Sequence, residues 1–192
     1  MPPTNPARRR ALTDAAIALL ASSGVHGLTH RAVEKEADLP SGTASNYFRN
    51  REALLVAAAE RIIELHHADT DRAVDRSVEQ PATLADLLTE SLLTAATTLR
   101  DRYLAIFELQ LEAVRRPVLA TALAGLWDAA AKVTAGQHDK LGLVLPLERI
   151  HSLITLYEGA LFTLVTAPPE SVNRDTVQAL VRSILDGCGP QQ

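Results

Sequence analysis

Between positions 29 and 51 the sequence gathers Thr29, Arg31, Ser41, Thr43, Ser45, Asn46, Tyr47, Arg49 and Arg51, hydroxyls and an amide interleaved with cations. The chemistry of such a set is recognition by hydrogen bonding. Thr43, Ser45, Asn46 and Tyr47 are compact donors or acceptors of a size that reaches base edges or phosphates in a groove. Arg49 and Arg51 are expected to neutralise phosphates, Arg31 adds charge to the same stretch, and Thr29 at the open amides of a helix start is expected to hold a further phosphate. Phe48, apolar among them, is expected to anchor the segment to its own core.

Catalytic patterns are missing. There is no glycine-rich phosphate loop, no nucleophile elbow, and no Ser, His and Asp order tied to a local signature. The single cysteine, Cys188, lies between Gly187 and Gly189, a poor place for a preorganised nucleophile, and one cysteine excludes an internal disulfide framework. His66, His67, Asp69 and Asp71 cluster and make a helical metal sensor the rival reading. Adjacent histidines on a helix, however, point about 100° apart, which favours a solvated surface. Neither an enzyme nor a cofactor is expected.

The elements that must position the recognition residues are helices. Of 192 residues 47% are hydrophobic but only 4% aromatic, so the core is aliphatic and an all-β sandwich is disfavoured. Leu12, Ala15, Ala16, Leu19 and Leu20 mark one face of a first helix, with Asn5 and Pro6 as cap and first-turn residue and a stop at Ser22–Gly24. Thr29 caps a short second helix that turns Ala32, Val33 and Ala37 inward. Asp38 to Gly42 break the pattern, and a third short helix follows from Thr43 to Phe48. Two short helices around a tight turn, with polar residues on the second, are the pattern of a helix-turn-helix module.

Longer helices are predicted beyond it. One carries Leu54, Leu55, Ala58, Ile62 and Leu65 and runs to about Val78. Others run from Pro81 to Leu99, from Arg102 to Arg115 with Pro117 as its stop, and through the alanine-rich stretch Leu119 to Lys140. Pro146 opens a helix that lasts until Pro168 and Pro169, and the last carries Val177, Leu180, Val181, Ile184 and Leu185 to Gly187. About nine helices and no strand make an all-α chain. Residues 1–50 form the expected DNA-binding head and residues 51–192 the body. Charge follows that division: residues 1–52 hold seven Lys or Arg against five acids, in a chain of net charge −4. The basic start contains Asp14 and no unbroken apolar run, and the most apolar stretch, Ile150 to Ala167, holds His151 and Glu158, so neither secretion nor a membrane span is expected. A cytoplasmic chain is the expectation.

The run from Arg10 to Leu55 resembles the N-terminal DNA-binding domain of the tetracycline-repressor-like (TetR) transcriptional regulators. The likeness is carried by Arg10, Ala15, Ala16, Gly24 and Thr29, then by Gly42, Thr43, Tyr47, Phe48, Arg51, Glu52, Leu54 and Leu55. Departures from the family's pattern are Asp38 at a turn glycine, Pro40 at a serine cap, which shifts the expected capping to Ser41, Ser45 at a tyrosine, and Arg51 at a lysine. The resemblance implies a ligand-responsive homodimer, a repressor released from a palindromic double-stranded operator when a small effector binds. It implies dimerisation through the last two helices, where Gly159 and Ala160 allow close approach, and an effector among the middle helices. The sparse large or polar groups there are the candidate contacts: His66, Tyr103, Phe107, Gln110, Leu111, Trp127 and Tyr157. A helical ligand-binding bundle without sequence-specific DNA recognition is the other alternative.

Overall fold

A computed structural model describes residues 5–77, 83–124 and 147–187. Among the described residues every regular element is helical: α1 (Pro6–Gly27), α2 (His30–Glu36), α3 (Thr43–Tyr47), α4 (Arg51–Ser77), α5 (Leu84–Ala96), α6 (Arg100–Ala113), α7 over residues 117–124, α8 (Leu147–Thr166), a single 3-10 turn (Pro169–Ser171) and α9 (Arg174–Gly187). The all-α expectation holds.

Local sequence explains most of the ends. The Asn5 side chain accepts from the amides of Ala7 and Arg8 with Pro6 at the first helical position, and the Thr29 hydroxyl accepts from Ala32 N at 3.1 Å. Thr83 and Asp86 form a reciprocal capping box at α5. Asp38 takes the left-handed turn conformation with φ 51°. Three boundaries differ from expectation. Gly24 does not end α1 but kinks it: with φ 64° it is non-helical, and one further turn follows to Gly27. The cap of α3 is Gly42 with φ 87°, not Ser41. Pro117, expected as a stop, begins α7, because α6 already ends at Ala113 and a proline suits a first helical turn. The part of the predicted Leu119–Lys140 helix beyond residue 124 lies outside the described residues.

Packing divides the chain into two compact units, Met1–Asp71 with Asp101–Ala130, and Arg72–Arg100 with Ala131–Gln192. In the first, Leu12, Ala16 and Leu20 of α1, Leu28, Val33 of α2, and Leu54, Leu55 and Ile62 of α4 form one aliphatic core. Ala105, Ile106 and Leu109 of α6 and Leu119 and Leu123 of α7 belong to that same core, so it draws on both sides of residue 50. At its margin Arg61 of α4 forks onto Asp14 of α1 and also meets Glu64. The hydrogen bond that Arg61 donates to Asp14 is the main cause that raises the Arg61 pKa further. In the second unit α5 packs on α8 and α9 through Leu92, Ala95, Leu161, Val165, Val177 and Val181. Arg100 closes its corner by donating to the Ala167 carbonyl at 2.9 Å. No helix among the described residues is long and apolar enough to cross a membrane.

Candidate nucleic-acid interface

The helix expected to read DNA, α3, is only five residues long and makes almost none of its own stability, so its neighbours must hold it. Ala44 is 0% exposed and Phe48 3%, which turns that side of the helix into the core, where Arg9 stacks 5.9 Å from the centre of the Phe48 ring. His30 Nε2 meets the Phe48 carbonyl at 2.7 Å. Glu34 of α2, 4% exposed, accepts the Ala44 amide at 2.7 Å and so caps α3 from another helix. A carboxylate is the right group there, since a helix start carries open amides and partial positive charge. Replacing Glu34 by Ala leaves that buried donor without its acceptor and is expected to lower stability by about 1–3 kcal/mol, with Glu34→Gln recovering most of it. Urea unfolding measures this, and a wild-type midpoint for Glu34→Ala would show that the bond contributes nothing.

The expected contact residues fall into two sets. Arg31, Ser41, Ser45, Asn46 and Arg49 are exposed, and among the described residues none of them spends its side chain on an internal hydrogen bond or ion pair. Lys35 joins them, a residue that the sequence reading passed over although it stands one turn after Arg31 on α2. Arg31, Lys35 and Ser41 border one depression of about 360 Å³ with Glu34 and Leu39. In the second set the side chains are already occupied. Thr29 caps α2, the Thr43 hydroxyl donates to the Pro40 carbonyl, and the Tyr47 phenol bonds the backbone of Asn5, accepting from its amide at 3.2 Å. Arg51 donates to the carbonyl of Leu28 at 3.0 Å and to that of Val25, tying the start of α4 to the end of α1.

The same end of α1 is gripped from α6. At the Gly24 kink the Val25 amide points out of the helix and donates to Glu108 Oε2 at 2.8 Å. Glycine suits this point because of the positive φ, and an added Cβ would lie 3.0 Å from that oxygen, which would have to shift slightly. One turn on, Glu112 is held by Arg115 and Arg116, and the Arg116 hydrogen bond is the main cause that keeps its carboxyl below the usual range.

The effector candidates are spread more widely. In the first unit His66 and Tyr103 share the field of the ion pair between Arg102 and Asp69. Burial is the main cause in both: it lowers the His66 pKa and raises that of Tyr103. Phe107 and Gln110 follow Tyr103 along one side of α6 and are half-buried, whereas Leu111 is 62% exposed. Tyr157 is in the second unit, its phenol 2.6 Å from the Ser91 hydroxyl. Trp127 lies outside the described residues. Among the described residues no three His, Cys, Asp or Glu side chains converge as a metal site.

A short polar helix displayed beyond a tight turn, in a chain built otherwise of longer helices, defines a helix-turn-helix DNA-binding regulator. Residues 12–58 match the family model for bacterial regulatory proteins of the tetR family, and residues 79–187 match that for the tetracyclin repressor-like C-terminal domain. The chain belongs to the TetR family. The HTH-type transcriptional repressor KstR of Mycolicibacterium smegmatis is 39% identical over 66 residues, 34% of this chain, and the match spans only 32% of that relative's length. Among solved structures, a TetR family member from Streptomyces coelicolor A3 superposes with a TM-score of 0.71 at 27% identity, over 93% of this chain and 98% of that one. The multidrug binding protein EbrR in complex with ethidium gives 0.66 at 26% identity, over 92% and 98%.

Proposed function

We propose that this TetR-family regulator is a homodimeric repressor that leaves a palindromic operator when a small organic effector binds, with residues 1–50 as its DNA-binding head and 51–192 as its effector-binding and dimerising body. The observation that carries the reading is the exposed, uncommitted polar set Arg31, Lys35, Ser41, Ser45, Asn46 and Arg49 around a reader helix fixed from behind by Glu34 and Phe48. In this reading those six touch DNA, while Thr29, Thr43, Tyr47 and Arg51 position them. Dimerisation through α8 and α9 is supported by their outward residues. Ser152, Thr155, Leu156, Gly159, Thr163 and Thr166 of α8 are exposed without one charge, and Thr176, Ala179 and Ser183 of α9 continue the series. A helix face exposed over about four turns, whose named residues carry no charge, suits a self-complementary contact. The multidrug-binding relative favours an organic effector, and the candidates read from the sequence, His66, Tyr103, Phe107, Gln110, Leu111, Trp127 and Tyr157, remain its proposed contacts, in a cytoplasmic protein.

Selection from a random duplex library at near-physiological salt should return a two-fold symmetric motif. With that operator, effector and DNA must weaken each other by one common factor, about 5- to 150-fold. Effector affinity unchanged by saturating operator would refute release as the mechanism.

A further inference from the structure

Sequence choice at the centre of each half-site depends on side chains that α3 can extend to base edges, and the structure leaves few. The helix reads Thr43, Ala44, Ser45, Asn46 and Tyr47. Ala44 faces the core, the Thr43 hydroxyl is bound to Pro40, and the Tyr47 phenol is bound to Asn5. Ser45 and Asn46 remain. At about 100° per residue Asn46 stands about 200° from Ala44, on the side of the helix most nearly opposite the core. No Arg or Lys lies on α3, so the commonest reader of guanine is not on this helix. A serine hydroxyl pairs with any base, whereas an Asn amide offers one donor and one acceptor side by side. In the major groove only adenine presents the complementary acceptor N7 beside the donor N6 amino group.

Resting on the reading of α3 as the DNA reader, we infer that Asn46 selects an adenine in each half-site, its side-chain oxygen accepting from the N6 amino group and its side-chain NH2 donating to N7. The Tyr47–Asn5 bond and the Glu34 cap set the height at which this amide meets the groove. Each half of the operator therefore contains one strongly preferred A·T pair, and the two are related by the two-fold axis of the dimer.

The test is duplex selection with the wild type, Asn46→Ala, Asn46→Arg and Tyr47→Phe at one salt concentration. The wild type should enrich a symmetric motif with a near-invariant A·T pair in each half. Asn46→Ala should flatten that pair alone, lowering its discrimination about 5- to 150-fold, and Asn46→Arg should move the preference there to guanine. Tyr47→Phe should keep the motif and weaken all sequences alike. Because Asn46 is exposed and bonded to nothing among the described residues, its variants should melt with the wild type. If Asn46→Ala keeps the complete motif, or if the pair it flattens is G·C, the inference is overturned. A wild type that enriches no motif would instead remove the reading of α3 on which it rests.

Discussion

Gly159→Arg is expected to yield a folded chain that no longer dimerises and no longer holds its operator. A side chain at this position enters open space, since among the described residues nothing beyond its own turn of helix lies within 4 Å of the added Cβ. The residue is inside α8 with φ in the ordinary helical range, so replacing glycine there favours the helix by roughly 1 kcal/mol and gives the monomer no reason to unfold. In the proposed dimer the same space is where the partner helix approaches. An arginine on each copy places two like charges and two long side chains in an uncharged, close-packed contact. A single head retains only half the phosphate and base contacts, so operator affinity should fall towards the nonspecific level, a loss on the order of 10³-fold or more. Light scattering and a DNA titration read both consequences. A variant that remains dimeric at low micromolar concentration would place the interface elsewhere.

Arg51→Ala separates two roles for one cation. As a phosphate contact, the role expected from sequence, its loss would reduce the salt slope of DNA binding by about one contact and leave the fold alone. As the clamp on Val25 and Leu28, its loss takes the donor from the Leu28 carbonyl and one of two donors from the Val25 carbonyl, which keeps the Leu28 amide. Hydrogen bonds to charged groups contribute about 1.5–3 kcal/mol each, and two on one guanidinium are not additive, so about 2–4 kcal/mol is the expected destabilisation. For a chain of this size that lowers Tm by roughly 5–15 °C. Arg51→Lys should restore little, because an ammonium cannot fork to two carbonyls as a guanidinium does. The salt slope should stay at the wild-type value. A wild-type Tm with a shallower slope would return Arg51 to the phosphates.

Much of the fold was legible because it depends on local chemistry. Asn5 before Pro6, Thr29 before a short apolar pattern and Asp38 in the turn each act on the nearest few amides, and each stands where expected. The inward faces of α1 and α4 follow from helical spacing. What escaped depends on partners distant in sequence. Gly24 is a plausible stop, and only the Glu108 carboxylate 84 positions later explains why it is a kink instead. Glu34 stands beside inward-facing Val33, and an acid at that register was the one available sign that α2 caps something; the cap itself needed the tertiary structure. Arg51 and Tyr47 were legible as polar groups near the reader, yet whether a polar group faces DNA or its own chain is decided by the nearest unpaired carbonyl. Lys35 gave no signal beyond its spacing from Arg31. Periodicity finds the apolar side of α6, but it does not say which core that side joins.

That last choice makes the head a poor spare part. Ala105, Ile106 and Leu109 of α6 lie in one core with α1, α2 and α4. A chimaera cut at residue 50 would strip the transplanted head of these packing partners and hand it a stranger's α6, leaving apolar holes at the seam. Grafting operator specificity between relatives thus calls for exchanging only the outward residues of α2 and α3, the way a key is recut without replacing the lock.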